Sequence, residues 1–352
     1  MFVNNTKSNL GADAEFLPWD NPDSLVTYDS YLKWLSYFNT VIKPTVYVLC
    51  MTTNIINCLV FRSQGLRDRM NLCLFVLAII DMTCLSYSMI YTVTMCIRIA
   101  KPELGEELYV KELFYAMGVN YGWREASACI NVVIAVERCV CVLFPLQANT
   151  IMSTRTMGIL LVSIVIGMQL AFVTAPAKRY VFPVYDNTTG KTRWTVTSSE
   201  PWKNNQDLML YDKVEDTLMM IVFPFFTFAV VSSATIITVV KVRGAMLWRE
   251  NASSVTSDAQ GQHLALTKML VVVSCLFVIC RIPWVAITLA RIFYPSFSSS
   301  GRQANLYLVL ELVAHYFPYT HSSVTFFIYF SQSSRYRSHL RRLYSSSKTF
   351  KG

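Results

Sequence analysis

Eight ionisable side chains lie inside long apolar stretches of this sequence, where a charge is energetically expensive. They are Asp81, Arg124, Glu125, Glu137, Arg138, Arg281, Glu311 and His315. Charged groups in such surroundings usually pair with one another or bind a polar ligand. Asp81, Glu125 and Arg281 lie too deep to reach water, so they predict a buried polar network. Glu137 and Arg138 lie near the end of a stretch and could instead extend to the membrane interface.

The motifs that enzymes and metal sites use are missing from the sequence. It has no HExxH, no GxSxG and no pair of histidines with acids at ligand spacing on one helix. Its ten cysteines lie in or beside apolar stretches and form no CxxC pair, which argues against a disulfide framework and a metal site. We therefore expect no enzymatic activity, no metal and no cofactor.

The composition indicates a membrane protein. Of 352 residues, 53% are hydrophobic and only 15% are charged, whereas about a quarter of the residues of a soluble domain are charged. That charge is too sparse to cover the surface of a soluble chain of this length. The net charge of +9 is not concentrated in one polar run, so we expect basic cytoplasmic loops and no nucleic-acid partner.

Seven apolar stretches are long enough to cross a bilayer, which takes roughly 20 helical residues. They lie near residues 40–61, 70–97, 112–143, 156–177, 215–242, 264–293 and 304–330. They do not alternate apolar and polar residues, so they predict helices and not a barrel. The expected fold is an all-α membrane protein, a seven-transmembrane helix bundle. We expect Pro224 and Pro283 to kink the fifth and sixth spans.

The charge distribution predicts the orientation of the bundle. Basic residues cluster in the first inner turn, in the fifth-to-sixth connection and in the tail, whereas the acids lie mainly on the opposite side. Basic loops stay cytoplasmic, so we expect a multi-pass plasma-membrane protein with residues 1–37 as an extracellular tail and residues 38–330 as the membrane domain. The sequons at Asn4 and Asn187 then lie outside the cell and could be glycosylated.

A short amphipathic helix is expected after the seventh span, within residues 331–352. Apolar residues at Tyr336, Leu340, Leu343 and Tyr344 follow helical spacing, with arginines between them. Such a helix lies on the inner leaflet of the bilayer with its apolar face in the lipid. Lipid is therefore an expected partner of this segment.

Several motifs occur together in an order that resembles a rhodopsin-like (class A) G-protein-coupled receptor. They are Asn54, the Leu77–Asp81 segment of LAxxD form, Glu137-Arg138-Cys139, the Phe277, Cys280 and Pro283 set, and Ser322 with Tyr329. More narrowly, Gln64–Asp68, Val136–Pro145 and Ser322–Tyr329 look like molluscan chemosensory and FMRFamide-like peptide receptors. The resemblance covers about residues 38–345.

The resemblance implies a receptor that binds an extracellular peptide or small molecule and activates a heterotrimeric G protein when the sixth helix swings outward. Four residues would serve coupling: Glu137, Arg138, Tyr329 and Lys268. Seven residues would line the ligand pocket: Tyr91, Asn120, Tyr121, Arg124, Glu311, His315 and Tyr319. Five would form a buried polar core: Asn54, Asp81, Ser127, Arg281 and Ser322.

The sequence departs from that family at several positions. No cysteine stands at the outer end of the third span or in the second outer loop, so the usual disulfide is missing. Arg281 replaces an aromatic residue of the sixth span, and we expect it to pair with Asp81, with Glu125 as the other candidate. Arg124 either meets an anionic or carbonyl-rich ligand or pairs with Glu125.

A membrane transporter or channel without G-protein coupling is the alternative function. It needs a continuous polar path, whereas the polar residues become sparse between Asp81 and the inner face. No internal repeat is visible in the sequence, although paired halves are usual in secondary transporters. The receptor interpretation is therefore favoured.

Overall fold

A computed structural model describes residues 24–186, 191–252, 258–299 and 301–349. Both predicted glycosylation sites, Asn4 and Asn187, lie outside the described residues. The helices and strands follow the chain in this order: α1 (Tyr28–Tyr37), a π-helical turn (Phe38–Ile42), α2 (Lys43–Gln64), α3 (Arg69–Ala100), α4 (Pro102–Tyr115), α5 (Met117–Leu143), α6 (Ala148–Ile151), α7 (Thr154–Ala171), β1 (Arg179–Asp186), β2 (Lys191–Ser198), α8 (Glu200–Asn204), α9 (Gln206–Thr217), a second π-helical turn (Leu218–Val222), α10 (Phe223–Ala252), α11 (Asp258–Phe293), α12 (Ala304–Ala314), α13 (Phe317–Gln332) and α14 (Ser334–Thr349).

Six helical stretches within the described residues are long and apolar enough to cross a membrane. They are Tyr28–Gln64, Arg69–Ala100, Met117–Leu143, Thr154–Ala171, Gln206–Leu247 and Ala265–Phe293, which we call spans one to six. Span four buries only Met157 and Leu161 against the protein. Five of its other apolar side chains are exposed, which suits contact with lipid and not with water: Ile159, Leu160, Val162, Ile166 and Leu170.

The seventh span is made of two shorter helices, α12 and α13, which meet at His315 and Tyr316. Pro318 explains the break, because it has no N–H to donate to the carbonyl of Ala314 and its ring crowds that carbonyl. Each half alone is short of a bilayer crossing, but together they cover the predicted range. The chain thus forms the predicted seven-helix bundle.

Proline also explains the two π-helical turns in spans one and five. Each turn ends just before a helix whose second residue is proline, Pro44 in α2 and Pro224 in α10. A wider turn accommodates the missing N–H and the bulk of the ring. The sequence analysis expected a kink at Pro224, and the structure has a π-helical turn directly before α10. Pro283 lies inside α11, without a break in the helix.

The third span is shorter than predicted, because residues 102–115 form a separate helix, α4. Pro102 begins this helix and separates it from α3, and a turn at Ala116 separates it from α5, which begins at Met117. Gly105 lets α4 pack directly on the backbone of span two, since a Cβ there would lie 2.1 Å from the Cα of Arg98. The segment therefore lies against the end of span two.

The connection between spans four and five contains a β-hairpin that the sequence analysis did not predict. Strands β1 and β2 pair antiparallel, from Arg179 opposite Ser198 to Asp186 opposite Lys191. Alternating threonine and other strand-favouring residues in β2 are a signal for this structure. The backbone N–H of Val181 donates to the Tyr115 hydroxyl at 3.1 Å, so the hairpin is joined to the helix that precedes span three. We call this side of the bundle the hairpin end.

Ion pairs hold the beginning of the hairpin where no disulfide is available. All ten cysteines are free thiols. The Nζ of Lys178 pairs with Asp212 and lies 3.1 Å from Glu215 and 3.9 Å from Asp216, all on α9. Burial alone lowers the pKa of Lys178, but the bond to Asp212 and the neighbouring carboxylates raise it above its ordinary value. Lys178 therefore stays charged in this cluster.

The predicted amphipathic helix is α14, which marks the opposite, basic end of the bundle. Tyr336 is only 1% exposed, and its hydroxyl donates to Oδ1 of Asn57 at 2.7 Å. Its ring packs against Phe61 and Tyr329. The apolar face of α14 is thus attached to spans one and seven, whereas Arg335, Arg341 and Arg342 are exposed.

Replacing Lys178 by methionine should destabilise the hairpin end. The three carboxylates of α9 then lose their cation, at a cost of about 2 kcal/mol, between the values for exposed and buried pairs. Hydrogen exchange of residues 178–186 and thermal unfolding of the purified protein measure this loss. Lys203→Met is the matched control, because its pair with Glu200 is exposed and should change stability little. Dithiothreitol should have no effect; destabilisation by the reductant would contradict this account.

Glu112 should make the hairpin end sensitive to pH. Burial raises the pKa of Glu112 to about 7, although a hydrogen bond from Thr94 and the nearby Lys43 oppose the shift. A carboxyl group with a raised pKa in the folded state stabilises the fold fully below its ordinary pKa, and this contribution is lost as the pH rises through the folded value. Protection of α4 from hydrogen exchange should therefore fall between about pH 5 and pH 8. Glu112→Gln should remove most of this change; an unchanged pH profile in that variant would exclude Glu112 as its source.

Candidate functional site

A cavity opens between spans two, three, six and seven. Its wall carries a mixture of polar and aromatic groups, among them Asp81, Arg124, Ser127, Arg281 and Tyr319. Residues predicted separately for the polar core and for the ligand pocket thus share one cavity.

Glu125 is the centre of the charged groups at this cavity. It is 1% exposed, and its Oε1 accepts from Nε of Arg124 at 2.9 Å. Its Oε2 lies 3.6 Å from Nη2 of Arg281. One carboxylate of span three is therefore shared by two guanidinium groups, one of which belongs to span six. For Arg124, the alternative of pairing with Glu125 is the one that the structure shows.

The expected Asp81–Arg281 pair is wrong. Arg281 turns to Glu125, and Asp81 instead accepts a hydrogen bond from the Ser127 hydroxyl at 2.6 Å. Beside it, Asn54 donates to Oγ of Ser322 at 2.8 Å. The physical reason is that Glu125 lies nearer to the guanidinium, while hydroxyl donors are available to Asp81. The other polar-core residues therefore meet as hydrogen-bonded pairs, and Arg281 belongs to the Glu125 group.

Arg124 is held between aromatic rings as well as by Glu125. Its guanidinium carbon lies 4.4 Å from the ring centre of Tyr121 and 5.2 Å from that of Trp284. The Trp284 ring also meets the His315 ring edge-on at 4.9 Å. Cation–π contacts of this kind stabilise a guanidinium away from water. The sequence analysis did not include Trp284 among the pocket residues, although its position directly after Pro283 in the sixth span could have indicated it.

The remaining residues predicted for the ligand pocket have hydrogen-bond partners outside the Glu125 group. Glu311 contributes its backbone carbonyl, which lies 2.7 Å from Nδ1 of His315. Asn120 is near Cys84, whose thiol is 3.6 Å from the amide oxygen. Tyr91 lies towards the hairpin end, where its hydroxyl bonds to that of Tyr109. The structure therefore does not bring Tyr91 to the Glu125 group.

A second buried carboxylate, Glu137, organises the basic end. Glu137 is fully buried, and both its oxygens accept from the guanidinium of Arg138. Nε of Arg69, from the start of span two, donates to the same carboxylate at 2.6 Å. Arg69 also donates to the backbone carbonyls of Ala148 and Met152 at 3.0 and 2.9 Å. It therefore joins span two, span three and the connection to span four.

The other two predicted coupling residues differ in their surroundings. Tyr329 is 2% exposed and packs in the apolar cluster beside Phe61, whereas Lys268 is exposed on span six. Arg69 was not among the residues predicted for this end, since its position in a basic turn resembled an ordinary cytoplasmic charge. Within the described part of the chain, no group of three or more His, Cys, Asp and Glu side chains could hold a metal ion.

Comparison with known proteins agrees with this architecture. A family model described as serpentine type 7TM GPCR chemoreceptor Srw matches residues 41–347. No curated protein gives a significant match to the chain. The family match extends from span one through most of α14 and includes both buried carboxylate groups. The protein therefore belongs to the Srw family of serpentine seven-transmembrane G-protein-coupled chemoreceptors.

Proposed function

We propose that this chemoreceptor binds an extracellular peptide or small molecule in the central cavity and activates a heterotrimeric G protein at its basic end. One observation carries the proposal: Arg138 is held at the inner part of span three by a buried carboxylate that has a second cation, Arg69. Arg138 can then exchange Glu137 for backbone carbonyls of a Gα subunit while Glu137 stays paired. An always-charged multiple donor suits that task.

The link between the cavity and the basic end is span six. Arg281 on span six meets Glu125 on span three, and Pro283 lies two residues further along the same helix. A ligand that changes the contact at Arg281 would favour one of two positions of span six, which is a shift of populations. We infer that the outward position opens the surface around Arg138 and Lys268.

We also propose that the receptor is of the rhodopsin-like class, that its hairpin end is extracellular and that residues 1–37 form an extracellular tail. The order of Asn54, Asp81, Glu137-Arg138 and Tyr329 along the spans supports a class A arrangement. The basic loops and tail support a cytoplasmic basic end, an extracellular hairpin end and glycosylation at Asn4 and Asn187. A peptide ligand of the FMRFamide-like kind remains one candidate, beside small chemosensory molecules.

A transporter or channel is the weaker alternative. Between the cavity and the basic end lies an apolar cluster of buried residues that includes Leu77, Ile134, Leu270 and Val273. Such a cluster interrupts a polar path through the bundle. It instead suits a receptor in which the two ends communicate by helix movement.

Arg138→Ala should abolish nucleotide exchange on the G protein while the receptor still reaches the cell surface. The fold should survive because Glu137 keeps its bond to Arg69. The measurement is basal nucleotide exchange at high receptor density with a promiscuous Gα, beside surface labelling. Arg341→Ala, an exposed arginine of α14, is the control and should exchange normally. Retained exchange in Arg138→Ala would rule out the role given to this residue.

Arg69→Met should reduce basal exchange by about threefold to tenfold, the effect of about 1 kcal/mol. Without Arg69, Glu137 holds Arg138 alone, and releasing Arg138 leaves a buried charge unpaired. Arg69→Lys keeps the charge and should recover part of the exchange. Arg67→Met removes an exposed arginine of the same turn and should have no effect. An increase of exchange in Arg69→Met would contradict this account.

A further inference from the structure

Arg281 has an unusually small number of partners for a buried guanidinium. It is 5% exposed, yet within the described residues it has one ion pair, to Oε2 of Glu125, and one ring contact, to Phe277. The 3.6 Å to Glu125 is longer than a good hydrogen bond. A guanidinium carries five N–H donors, so most of the donor capacity of Arg281 is unused.

Glu125 satisfies Arg124 better than Arg281, because the oxygen nearest to Arg281, Oε2, has no hydrogen-bond partner in the described residues. Its Oε1 already accepts from Arg124 at 2.9 Å, and Arg124 is fixed further by the rings of Tyr121 and Trp284. Asp81, the other acid of the cavity wall, accepts from Ser127 and forms no ion pair with either arginine in the described residues. Two guanidinium groups thus compete for one carboxylate, where an incompletely paired buried cation is costly.

The free side of Arg281 is at the cavity. Arg281 lines it together with Phe277 and Tyr319, so an acceptor that enters the cavity meets an unused donor beside aromatic surface. Guanidinium groups bind carboxylates with two parallel N–H···O bonds, which are among the stronger hydrogen bonds in proteins. A second carboxylate would also balance the second guanidinium.

We propose that Arg281 binds the carboxylate of an acidic organic ligand in this cavity. The inference rests on the proposed receptor function, because it specifies the ligand class of the same site. The ligand carboxylate takes Arg281 away from Glu125, and Glu125 remains paired with Arg124. The contact between spans three and six is then replaced by one between the ligand and span six, which is how an acid in the cavity would release that span.

The test uses the full-length receptor in lipid nanodiscs and three probes with the same ring and chain: 3-phenylpropanoate, 3-phenylpropanamide and 3-phenylpropylamine. Thermal unfolding is followed as each probe is added. The carboxylate should stabilise the receptor saturably, whereas the neutral amide and the cationic amine should not. Equal stabilisation by the amide or the amine, or no effect of the carboxylate, overturns the proposal.

Two variants should change carboxylate binding in opposite directions, which distinguishes an effect on the ligand from a general loss of structure. Arg281→Gln should weaken carboxylate binding by about tenfold or more. Glu125→Gln removes the competing acid, so it should strengthen carboxylate binding. If Arg281→Gln does not fold, the sign of the effect in Glu125→Gln decides: unchanged or weaker binding there overturns the proposal.

Nucleotide exchange measured on the same preparation separates this inference from the proposed function. If nucleotide exchange depends on Arg138 but the receptor does not bind the carboxylate probe selectively, the carboxylate site is wrong and the proposed receptor function is retained. Selective carboxylate binding without any exchange supports the site and contradicts G-protein activation. Arg341→Gln makes the same substitution at an exposed arginine of α14, outside the cavity wall, and as the matched control it should keep the selectivity.

Discussion

Two buried carboxylates on span three, each shared by two guanidinium groups, are the constraint on which the bundle depends. Glu125 holds Arg124 and Arg281, and Glu137 holds Arg138 and Arg69. A charge in lipid or in an apolar core is costly unless it is paired. In both groups, one arginine is the sequence neighbour of the glutamate and the other comes from a different span. Span three is therefore connected by charge to span six at one level and to span two at the other.

Because each carboxylate has two arginine partners, one arginine can move without leaving the carboxylate unpaired. A carboxylate with a single partner would be left unpaired when that partner moves, which would oppose the movement. With two cations present, one arginine can leave while the other keeps the charge paired. The arrangement thus permits a change at Arg281 near the cavity and at Arg138 near the basic end. The apolar cluster between them gives no polar path, so we propose that the two ends communicate by movement of helices.

The fold was largely predictable from the sequence because each span needs only length and an apolar composition. The seven spans and the amphipathic α14 follow from those two properties and from helical spacing. The hairpin and the separate helix α4 did not, because short strands and a helix beside a span have weak local signals. Their positions depend on partners distant in sequence, such as Tyr115 for Val181 and the α9 carboxylates for Lys178.

The sequence by itself placed Asp81, Glu125 and Arg281 deep within apolar runs, whereas it left open whether Glu137 and Arg138 extend to the interface. Only the tertiary structure decided their partners. Arg281 was expected to pair with Asp81 but pairs with Glu125. The ion pair between Arg69 and Glu137 could not be predicted from the sequence. The physical reason is that a guanidinium on a long side chain can reach several acids. The packing of neighbouring helices selects among them, and that packing is not a local property of the sequence.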